Sequence, residues 1–344
     1  MSAVLSILVP TFNRGGALHR LLESAERAGA YADRSRVELV VADNGSGDQT
    51  PAVIDHWRQR AGIRGHRQPE NVGVERNIAT LLAMATGRFV WFFGDDDMLA
   101  DDVLEWLLPL LDRGQSDMFI VPAARSDRPQ DNTAAAFGIA EPWRAPLRRM
   151  LERFGLFGVL GGLGHPVFLR SGLSHVERFM SFGTLYLHTF SLAASFHDRL
   201  AEMLPRTAFL TPVFDPPSYG EYVRRWKAEP VDHPIGLVRA TLELHRLGAI
   251  GDDAPPSFFK RFFNEPWPIH YMAYHELARR IFFEVWRPNE GEWAELTRFF
   301  ALLRDERYAA VFAEIRQAYD ELEEKRRRMA ALAENPPALG FGPL

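Results

Sequence analysis

Three consecutive carboxylates, Asp95 to Asp97, follow Gly94 directly after the apolar run Phe89–Phe93. Like charges this close repel one another, and a position at the mouth of a buried strand adds a cost of desolvation. A hard divalent cation compensates both, because Mg²⁺ and Mn²⁺ take one or two carboxylates and complete their shells with water and substrate phosphates. The cluster therefore predicts a metal site for a phosphate-bearing substrate. The alternative is that Asp97, Asp101 and Asp102 only cap a helix that begins near Val103, which would explain Asp95 and Asp96 poorly.

A second carboxylate, Asp43, ends the apolar run Val37–Ala42 and begins the sequence Asp-Asn-Gly-Ser. At the end of a strand, a carboxylate can accept hydrogen bonds from a nucleobase or from ribose hydroxyls. Asp-Asn-Gly-Ser is also a common turn sequence, in which Asp43 would only support the turn. Its position relative to the other polar segments favours the nucleoside interpretation.

A third segment, Asn71–Asn77, enters a predicted helix with Arg76 in its first turn. Free N–H groups at the start of a helix attract a phosphate, and the planar guanidinium of Arg76 suits bidentate contact with one. The segment is therefore a candidate contact for a diphosphate. The alternative is an exposed arginine on a surface helix.

The elements that would position these residues alternate strand and helix over the first 122 residues. Short β-branched or aromatic runs predict four strands buried on both faces: Val4–Val9, Val37–Ala42, Phe89–Phe93 and Met118–Val121. Segments with helical spacing of leucines lie between them. This alternation predicts a mostly parallel sheet covered by helices on both sides, and ligands bind at the carboxyl ends of the strands in such sheets. Three polar segments follow predicted strands and so lie at those ends: Pro10 to Arg14, Asp43 to Gly47 and Gly94 to Asp97.

The composition is that of a globular protein, with 344 residues of which 47% are hydrophobic and 25% charged. A net charge of −5 gives no general attraction to polyanions, so we expect no nucleic-acid partner. The absence of cysteine excludes disulfides and thiolate chemistry. No secretory signal is recognisable at the N-terminus, and the longest uncharged apolar stretch, Gly155–Leu169, is too short for a membrane span. We expect a soluble, cytoplasmic protein.

In this order and spacing, the polar segments resemble the family-2 glycosyltransferases with the GT-A fold. Members open with a hydrophobic strand that ends in Pro-Thr-aromatic-Asn-Arg, here Pro10 to Arg14. They continue with a Val-Val-Asp-Asx-Gly-Ser-x-Asp segment, here Val40–Asp48, an Asn-x-Gly-x-x-x-Asn segment, here Asn71–Asn77, and a strand that ends in an Asp-x-Asp motif. The resemblance covers about residues 4–112 and implies a GT-A-like α/β fold, with a mostly parallel central sheet flanked by helices.

The resemblance also implies roles for single residues. The nucleotide-sugar donor would contact residues of these motifs: Pro10, Thr11, Asn13, Arg14, Asp43, Asn71, Gly73, Arg76 and Asp95. Gly94 stands where the first Asp of the acidic motif is usual, so Asp96 would hold the Mg²⁺ or Mn²⁺, with Asp95 or Asp97 assisting. The Gly-Asp-Asp-Asp variant is similar to the abequosyltransferase-like branch, which builds bacterial O-antigen and related surface polysaccharides.

The catalytic base does not follow from a motif. Inverting members place an acidic residue, often in a Glu-Asp pair, well after the metal motif, and this chain has no such pair there. The window contains Glu177, His188 and Asp198. We rank His188 first, because a histidine accepts a proton near neutral pH. A buried structural histidine is the alternative.

We therefore predict a metal-assisted, inverting enzyme that moves a sugar from a nucleotide-diphosphate sugar to the hydroxyl of a glycan or lipid-linked acceptor. The alternatives are a nucleotidyltransferase and a non-catalytic sugar-nucleotide or polysaccharide-binding protein of the same fold. We divide the chain into a donor half (1–125), an acceptor-side half (126–230), a helical C-terminal region (231–333) and a loose tail (334–344). Trp226, Trp267 and Trp286 are candidates for an acceptor platform.

An amphipathic pattern from Val311 to Leu322 runs into the basic sequence Lys325 to Arg328. This combination predicts weak peripheral contact with the inner face of an anionic membrane. The alternative is an ordinary solvated helix with i,i+4 ion pairs, because Glu and Asp residues precede the basic cluster.

Overall fold

The computed structural model describes residues 3–184, 186–212, 234–251, 288–303 and 306–334. Twelve strands are formed in these ranges: β1 (Leu5–Thr11), β2 (Val37–Asp43), β3 (Arg64–Arg67), β4 (Phe89–Phe92), β5 (Met98–Leu99), β6 (Met118–Ile120), β7 (Ala123–Arg125), β8 (Arg128–Asn132), β9 (Trp143–Pro146), β10 (Pro166–Leu169), β11 (Leu200–Met203) and β12 (Phe209–Thr211). Eight of them form one sheet in the order β3-β2-β1-β4-β10-β6-β11-β9, and four form a second sheet in the order β5-β12-β7-β8.

Twelve α-helices surround the sheets in the described ranges: α1 (Gly15–Arg27), α2 (Thr50–Ala61), α3 (Val74–Met84), α4 (Val103–Arg113), α5 (Thr133–Ala136), α6 (Leu147–Phe154), α7 (Leu156–Leu160), α8 (Val176–Met180), α9 (Leu187–Phe196), α10 (Pro234–Arg246), α11 (Glu290–Leu303) and α12 (Glu306–Glu334). None of these helices is long and apolar enough to cross a membrane. The predicted helical C-terminal region is present wherever it is described. The proposed platform residues Trp226, Trp267 and Trp286 and the tail after residue 334 lie outside the described residues.

The strand directions confirm the predicted α/β fold and refine it. β1 pairs in parallel with β2 and β4, and β2 pairs in parallel with β3, so the carboxyl ends of these four strands share one edge. β10 is antiparallel to both β4 and β6. The sheet is therefore parallel where the sequence motifs lie and mixed beyond β4.

The first strand shows why its sequence is continuously apolar. Ile7 belongs to the buried cluster under α1 and α4, together with Leu18 and Leu107. Leu8 belongs to the cluster on the opposite face, together with Leu81 of α3. Because successive side chains of a strand point to opposite faces, a strand covered on both sides needs apolar residues at every position.

The second of these buried clusters extends into the C-terminal helices. Leu8 shares it with Phe168 of β10, Leu244 of α10, Leu296 of α11 and Ile315 of α12. The predicted donor half, acceptor-side half and C-terminal region thus pack around a common core on this face. Their division by role stays a prediction.

Candidate active site

The loop after β4 places two of the three consecutive carboxylates against the end of β1. Thr11 Oγ1 donates a hydrogen bond of 2.8 Å to Asp95 Oδ2. Arg14 Nη1 lies 3.1 Å from Asp95 Oδ1 and 2.6 Å from Asp96 Oδ2. Thr11 is the last residue of β1 and Arg14 precedes α1, so the parallel pairing of β1 with β4 brings these side chains together. The sequence predicted Thr11 and Arg14 as donor contacts but not as partners of the acidic cluster.

The acidic cluster carries more negative charge than its surroundings accommodate. Burial raises the pKa of Asp95 to about 6, with Arg14 opposing this rise and the charge of Asp96 adding to it. Burial, followed by the charges of Asp96 and Asp95, raises the pKa of Asp97 well above its usual value. A second cation beside Arg14 would lower the cost of ionising all three carboxylates.

The space above Gly94 fits a divalent cation held by two carboxylates. A Cβ on this residue would lie 2.7 Å from Asp97 Oδ2 and 3.2 Å from Asp96 Oδ1, so both oxygens approach the place that glycine leaves open. In the described part of the chain, no group of three or more His, Cys, Asp or Glu side chains is placed to hold a metal ion. Mg²⁺ and Mn²⁺ do not need such a group when phosphates complete their shell. Both oxygens of Asp95 are already hydrogen-bonded, which makes Asp97 the better second ligand.

The alternative role as helix caps does not account for the cluster. Asp102 is the N-cap residue of α4, but its side chain makes no capping hydrogen bond and pairs with Arg206 instead. Asp101 pairs with Arg27 at 3.1 Å. The acidic cluster at Asp95 to Asp97 lies before these residues and outside the helix, so capping does not explain it.

Asp43 is fully buried at the end of β2 and uses its two oxygens differently. The backbone N–H of Ser46 donates to Oδ1 at 3.0 Å, as expected of a turn residue. Oδ2 accepts no hydrogen bond within the described residues. Arg67 Nε lies 3.4 Å from Oδ2, which is close enough for an ion pair but does not meet hydrogen-bond geometry. Buried carboxylate oxygens are normally hydrogen-bonded, so Oδ2 is an exception that the turn alone does not explain.

Asn13 connects the loop after β1 to the loop after β2. Its backbone adopts a φ of 53°, its N–H donates to Ser46 Oγ at 2.8 Å, and its Oδ1 accepts from the backbone N–H of Gly47 at 2.8 Å. Pro10 lies beside Ala42 in the register of β1 and β2. These contacts give Asn13 a positioning role for the loops around Asp43, and they leave its predicted donor contact a prediction.

Asn71 and Gly73 shape the start of α3. Asn44 Nδ2 donates to Asn71 Oδ1 at 2.8 Å, and the backbone N–H of Gly73 donates to the same oxygen at 3.0 Å. Gly73 has a φ of 85°, which a side chain would strain. Arg76 is exposed in the first turn and lines a surface cavity of about 330 Å³ with Glu177. The structure thus brings together a predicted phosphate contact and a predicted base.

The other two base candidates lie elsewhere. His188 is 6% exposed on α9, and burial lowers its pKa to about 4 against the opposing effect of the Gly161 and Leu160 backbone, so its ring is neutral. Asp198 is exposed and lies 3.1 Å from His197 Nε2, just before β11. β11 is parallel to β6, and both β6 and β4 are antiparallel to β10. Asp198 is therefore at the opposite edge of the sheet from the acidic cluster, and we do not retain it as a base.

The sequence reasoning missed three contributors to this edge: Asn44, Asp48 and Arg67. Asn44 is buried and holds Asn71, while Asp48 Oδ2 accepts from the backbone N–H of Gly15 at 3.1 Å. The motif Val40–Asp48 contains Asn44 and Asp48, so it could have identified both residues. Arg67 had no such signal, because its strand, Arg-Gly-His-Arg, contains no apolar residue.

Residues 6–171 match the sequence model of glycosyl transferase family 2. A segment of the chain is 34% identical over 119 residues to abequosyltransferase RfbV of Salmonella typhimurium, covering 34% of this chain and 35% of that protein. The chain is also 30% identical over 117 residues to the GalNAc(5)-diNAcBac-PP-undecaprenol beta-1,3-glucosyltransferase of Campylobacter jejuni, covering 33% of this chain and 37% of that protein. The match thus spans about a third of the length of these curated relatives.

The fold is similar over a longer part of the chain. A crystal structure of residues 1–349 of Staphylococcus aureus TarS in complex with UDP-GlcNAc superposes with a TM-score of 0.60 at 14% identity, covering 94% of this chain and 91% of that fragment. The family match, the motif residues and the central sheet agree with one another. Residues 6–171 are therefore similar to glycosyl transferase family 2, and the fold is that of the GT-A glycosyltransferases.

Proposed function

We propose that the chain transfers a sugar from a nucleotide-diphosphate sugar to an acceptor hydroxyl, assisted by Mg²⁺ or Mn²⁺ and with inversion. One observation carries this proposal. Asp96 Oδ1 and Asp97 Oδ2 approach the same space above Gly94, and the Oδ2 of buried Asp43, which accepts no hydrogen bond within the described residues, lies two strands away at the same edge. A metal–diphosphate subsite beside a nucleoside subsite is what a sugar nucleotide requires.

Different residues of the chain bind different parts of the donor. Asp43 Oδ2 accepts a hydrogen bond from the nucleoside, and the free N–H groups at the start of α3, with Arg76, contact the diphosphate. Asp96 and Asp97 hold the metal, which when bound neutralises charge on the departing nucleoside diphosphate. The protein then aligns the acceptor with the donor and excludes water, which would otherwise hydrolyse the donor.

In the transfer, the acceptor oxygen forms a bond to the anomeric carbon, the bond from that carbon to the diphosphate breaks, and a base takes the hydroxyl proton. We propose Glu177 as this base, ahead of His188. Glu177 is exposed and lines a cavity beside Arg76, whereas His188 is buried. A base must reach the proton that it abstracts, so access decides between the two.

The relatives support a role in bacterial surface polysaccharide or glycan synthesis. One is named as an abequosyltransferase, and another is named for an acceptor linked to undecaprenol through a diphosphate. We propose a glycan or lipid-linked acceptor for this chain by analogy with those names.

Thermal-shift screening with UDP-, dTDP-, GDP- and CDP-sugars, with and without Mn²⁺, identifies the donor. Donor hydrolysis is then measured for the wild type, for Asp96→Asn and for Asp101→Asn, a control of the same charge change outside the acidic cluster. We expect Asp96→Asn to lose about a hundredfold in rate with an unchanged circular dichroism spectrum, and Asp101→Asn to retain activity. Chelation should abolish activity, and added Mn²⁺ should restore it.

Three outcomes would contradict parts of the proposal. Full activity of Asp96→Asn, or activity in excess chelator, would exclude the metal assignment. Formation of a sugar nucleotide and pyrophosphate from a nucleoside triphosphate and a sugar phosphate would identify a nucleotidyltransferase. Binding of a sugar nucleotide without hydrolysis or transfer under any condition would identify a non-catalytic binding protein.

A further inference from the structure

A cavity of about 860 Å³ lies between α8, α10 and α11 and is lined by four arginines. Arg178 comes from α8, Arg239 and Arg246 from α10, and Arg298 from α11. We call it the arginine cavity. Its arginines belong to neither the acidic cluster nor the contacts of Asp43.

Two of these arginines share a single carboxylate. Arg246 Nη2 lies 2.8 Å from Glu243 Oε1, and Arg178 Nε lies 3.2 Å from the same oxygen. Hydrogen bonds from Arg246, and then from Arg178, lower the pKa of Glu243 to about 2 against the effect of burial. Glu243 thus stays ionised but balances only one of the two guanidinium charges. Each guanidinium has five N–H donors, so N–H groups remain for another acceptor.

The other two arginines differ in their pairing. Arg239 Nε lies 2.9 Å from Glu295 Oε2, and its Nη2 lies 3.5 Å from Glu292 Oε1. Arg298 is exposed and has no ion-pair or hydrogen-bond partner in the described part of the chain. Helix packing alone explains the pairs of Arg239. It does not explain Arg298 or the second guanidinium on Glu243.

The arginine cavity adjoins the donor side of the protein. Ser181, just after α8, lines both the arginine cavity and the smaller cavity that contains Gly73, Arg76 and Glu177. The two cavities therefore meet at the end of α8. A chain-like ligand in the arginine cavity can extend from there towards the start of α3.

We propose that the arginine cavity binds an anionic group, a phosphate or a carboxylate, of an extended glycan acceptor whose reacting hydroxyl lies towards the donor subsite. This inference rests on the proposed transferase function. Planar guanidiniums from three helices suit the oxygens of such groups, because each can donate two parallel hydrogen bonds. The acceptor specificity would then be for a charged rather than a neutral glycan.

The test is calorimetric titration of the full chain, with an excess of the nucleoside diphosphate of the donor that the thermal-shift screen identifies, which occupies the donor subsite. The probes are inorganic tripolyphosphate, a galacturonate oligomer and a neutral malto-oligosaccharide. Arg246→Gln/Arg298→Gln removes two charges and leaves Glu243 paired with Arg178. Arg128→Gln, an exposed arginine on β8, is the control outside the cavity. Arg298→Gln alone is the second variant, should the double variant fail to fold.

We expect the wild type and Arg128→Gln to bind at least one anionic probe, more weakly as salt increases, and the double variant to bind it at least tenfold more weakly. The anion that binds identifies phosphate or carboxylate as the recognised group. Equal binding by the double variant and the wild type, equal binding of the neutral probe, or no anion binding by the wild type would overturn the inference. Donor hydrolysis tests the proposed function separately. We expect the wild type and the double variant to hydrolyse the donor at the same rate, and a lack of hydrolysis by the wild type would contradict the proposed function.

Discussion

Arg14 Nη1 lies 2.6 Å from Asp96 Oδ2, so the carboxylate proposed as the first metal ligand is paired with a cation of the chain itself. A metal ion at Asp96 must compete with this guanidinium. The donor diphosphate offers Arg14 another anionic partner, since Arg14 lies at the same edge as the proposed diphosphate contacts. Metal and donor binding should therefore favour one another, and such coupling is necessarily reciprocal.

The first prediction is that Arg14 weakens metal binding in the absence of nucleotide. Arg14→Met should bind Mn²⁺ alone about tenfold more tightly than the wild type, because the competing charge is removed. The tightening of Mn²⁺ binding by UDP should be smaller in the variant. Electron paramagnetic resonance titration of free Mn²⁺, with and without UDP, measures both effects. Arg20→Met, on the exposed face of α1, is the control, and an unchanged Mn²⁺ affinity of Arg14→Met would refute the competition.

The second prediction separates the two oxygens of Asp43. Asp43→Asn keeps a side-chain oxygen to accept from the N–H of Ser46 but removes the charge from the position of Oδ2. We expect the donor KM to rise about tenfold while kcat changes little, because a binding interaction present in both ground and transition states is lost. Initial-rate kinetics over a range of donor concentrations measure both constants. An unchanged donor KM would show that Asp43 is only a turn residue.

The parts of the fold that the sequence predicted are those with a strong local signal. β1, β2 and β4 are apolar runs, because they are buried on both faces, and each was predicted to within two residues at either end. The strands of the second sheet have two to five residues, and four of the five residues of β8, Arg-Pro-Gln-Asp-Asn, are polar. No periodicity exists in such short segments, so their pairing depends on tertiary contacts that the sequence pattern does not contain.

The same reasoning explains which site residues could be found. The ends of neighbouring parallel strands lie together, so Thr11, Asp43 and Asp95 followed from the strand order. The pairing of Arg14 with Asp96 joins residues 82 positions apart and depends on side-chain direction, which the motifs do not specify. Asp198 is a candidate base only because of its distance along the chain from the acidic cluster. The antiparallel β10 reverses the chain direction and leaves it at the far edge.

The third prediction concerns His188 and pH. Its pKa falls from 6.5 in a solvated histidine to about 4 in the folded chain, so between these values the unfolded state binds more protons. Above pH 6.5, His188 therefore does not lower the free energy of unfolding. As the pH falls from 6.5 towards 4, this residue lowers the free energy of unfolding, by about 2 kcal/mol at pH 5. His188→Gln should reduce the difference in unfolding free energy between pH 7.5 and pH 5 by about that amount.

Urea denaturation at the two pH values measures this difference, and His56→Gln, an exposed histidine on α2, is the control. The pH slope is the informative quantity, since the substitution also changes packing at both pH values. A slope that matches the wild type would show that His188 is not held neutral by burial. Loss of transfer activity without any change in slope would instead favour His188 as the catalytic base.

The last prediction concerns α12 and membrane contact. Ile315 is 3% exposed, and Phe312, Tyr319 and Leu322 pack against the same core, so the apolar face from Phe312 to Leu322 is covered by protein. An apolar face in this position cannot enter a membrane interface while the helix is packed. Any attraction must come from the basic sequence that begins at Lys325.

That sequence is partly neutralised within its own helix. Arg326 lies 2.7 Å from Glu323, and Arg328 pairs with Glu324. Lys325 and Arg327 form no such pair among the described residues. Each basic residue near an anionic surface contributes about 1 kcal/mol, and salt screens the attraction between exposed charges. We therefore expect cosedimentation with anionic liposomes at low salt and its loss at physiological salt.

Lys325→Gln/Arg327→Gln should abolish the binding at low salt, and neutral liposomes should not bind the wild type. Arg128→Gln, which removes one positive charge from an exposed position on β8, is again the control. Binding that persists at physiological salt would require an apolar contribution, either from Met329, which is exposed beside the basic sequence, or from release of α12 from the core. Binding that is unaffected by the double substitution would place the contact elsewhere on the protein. In either case the basic sequence after Leu322 would not be the membrane contact that its charge pattern predicts.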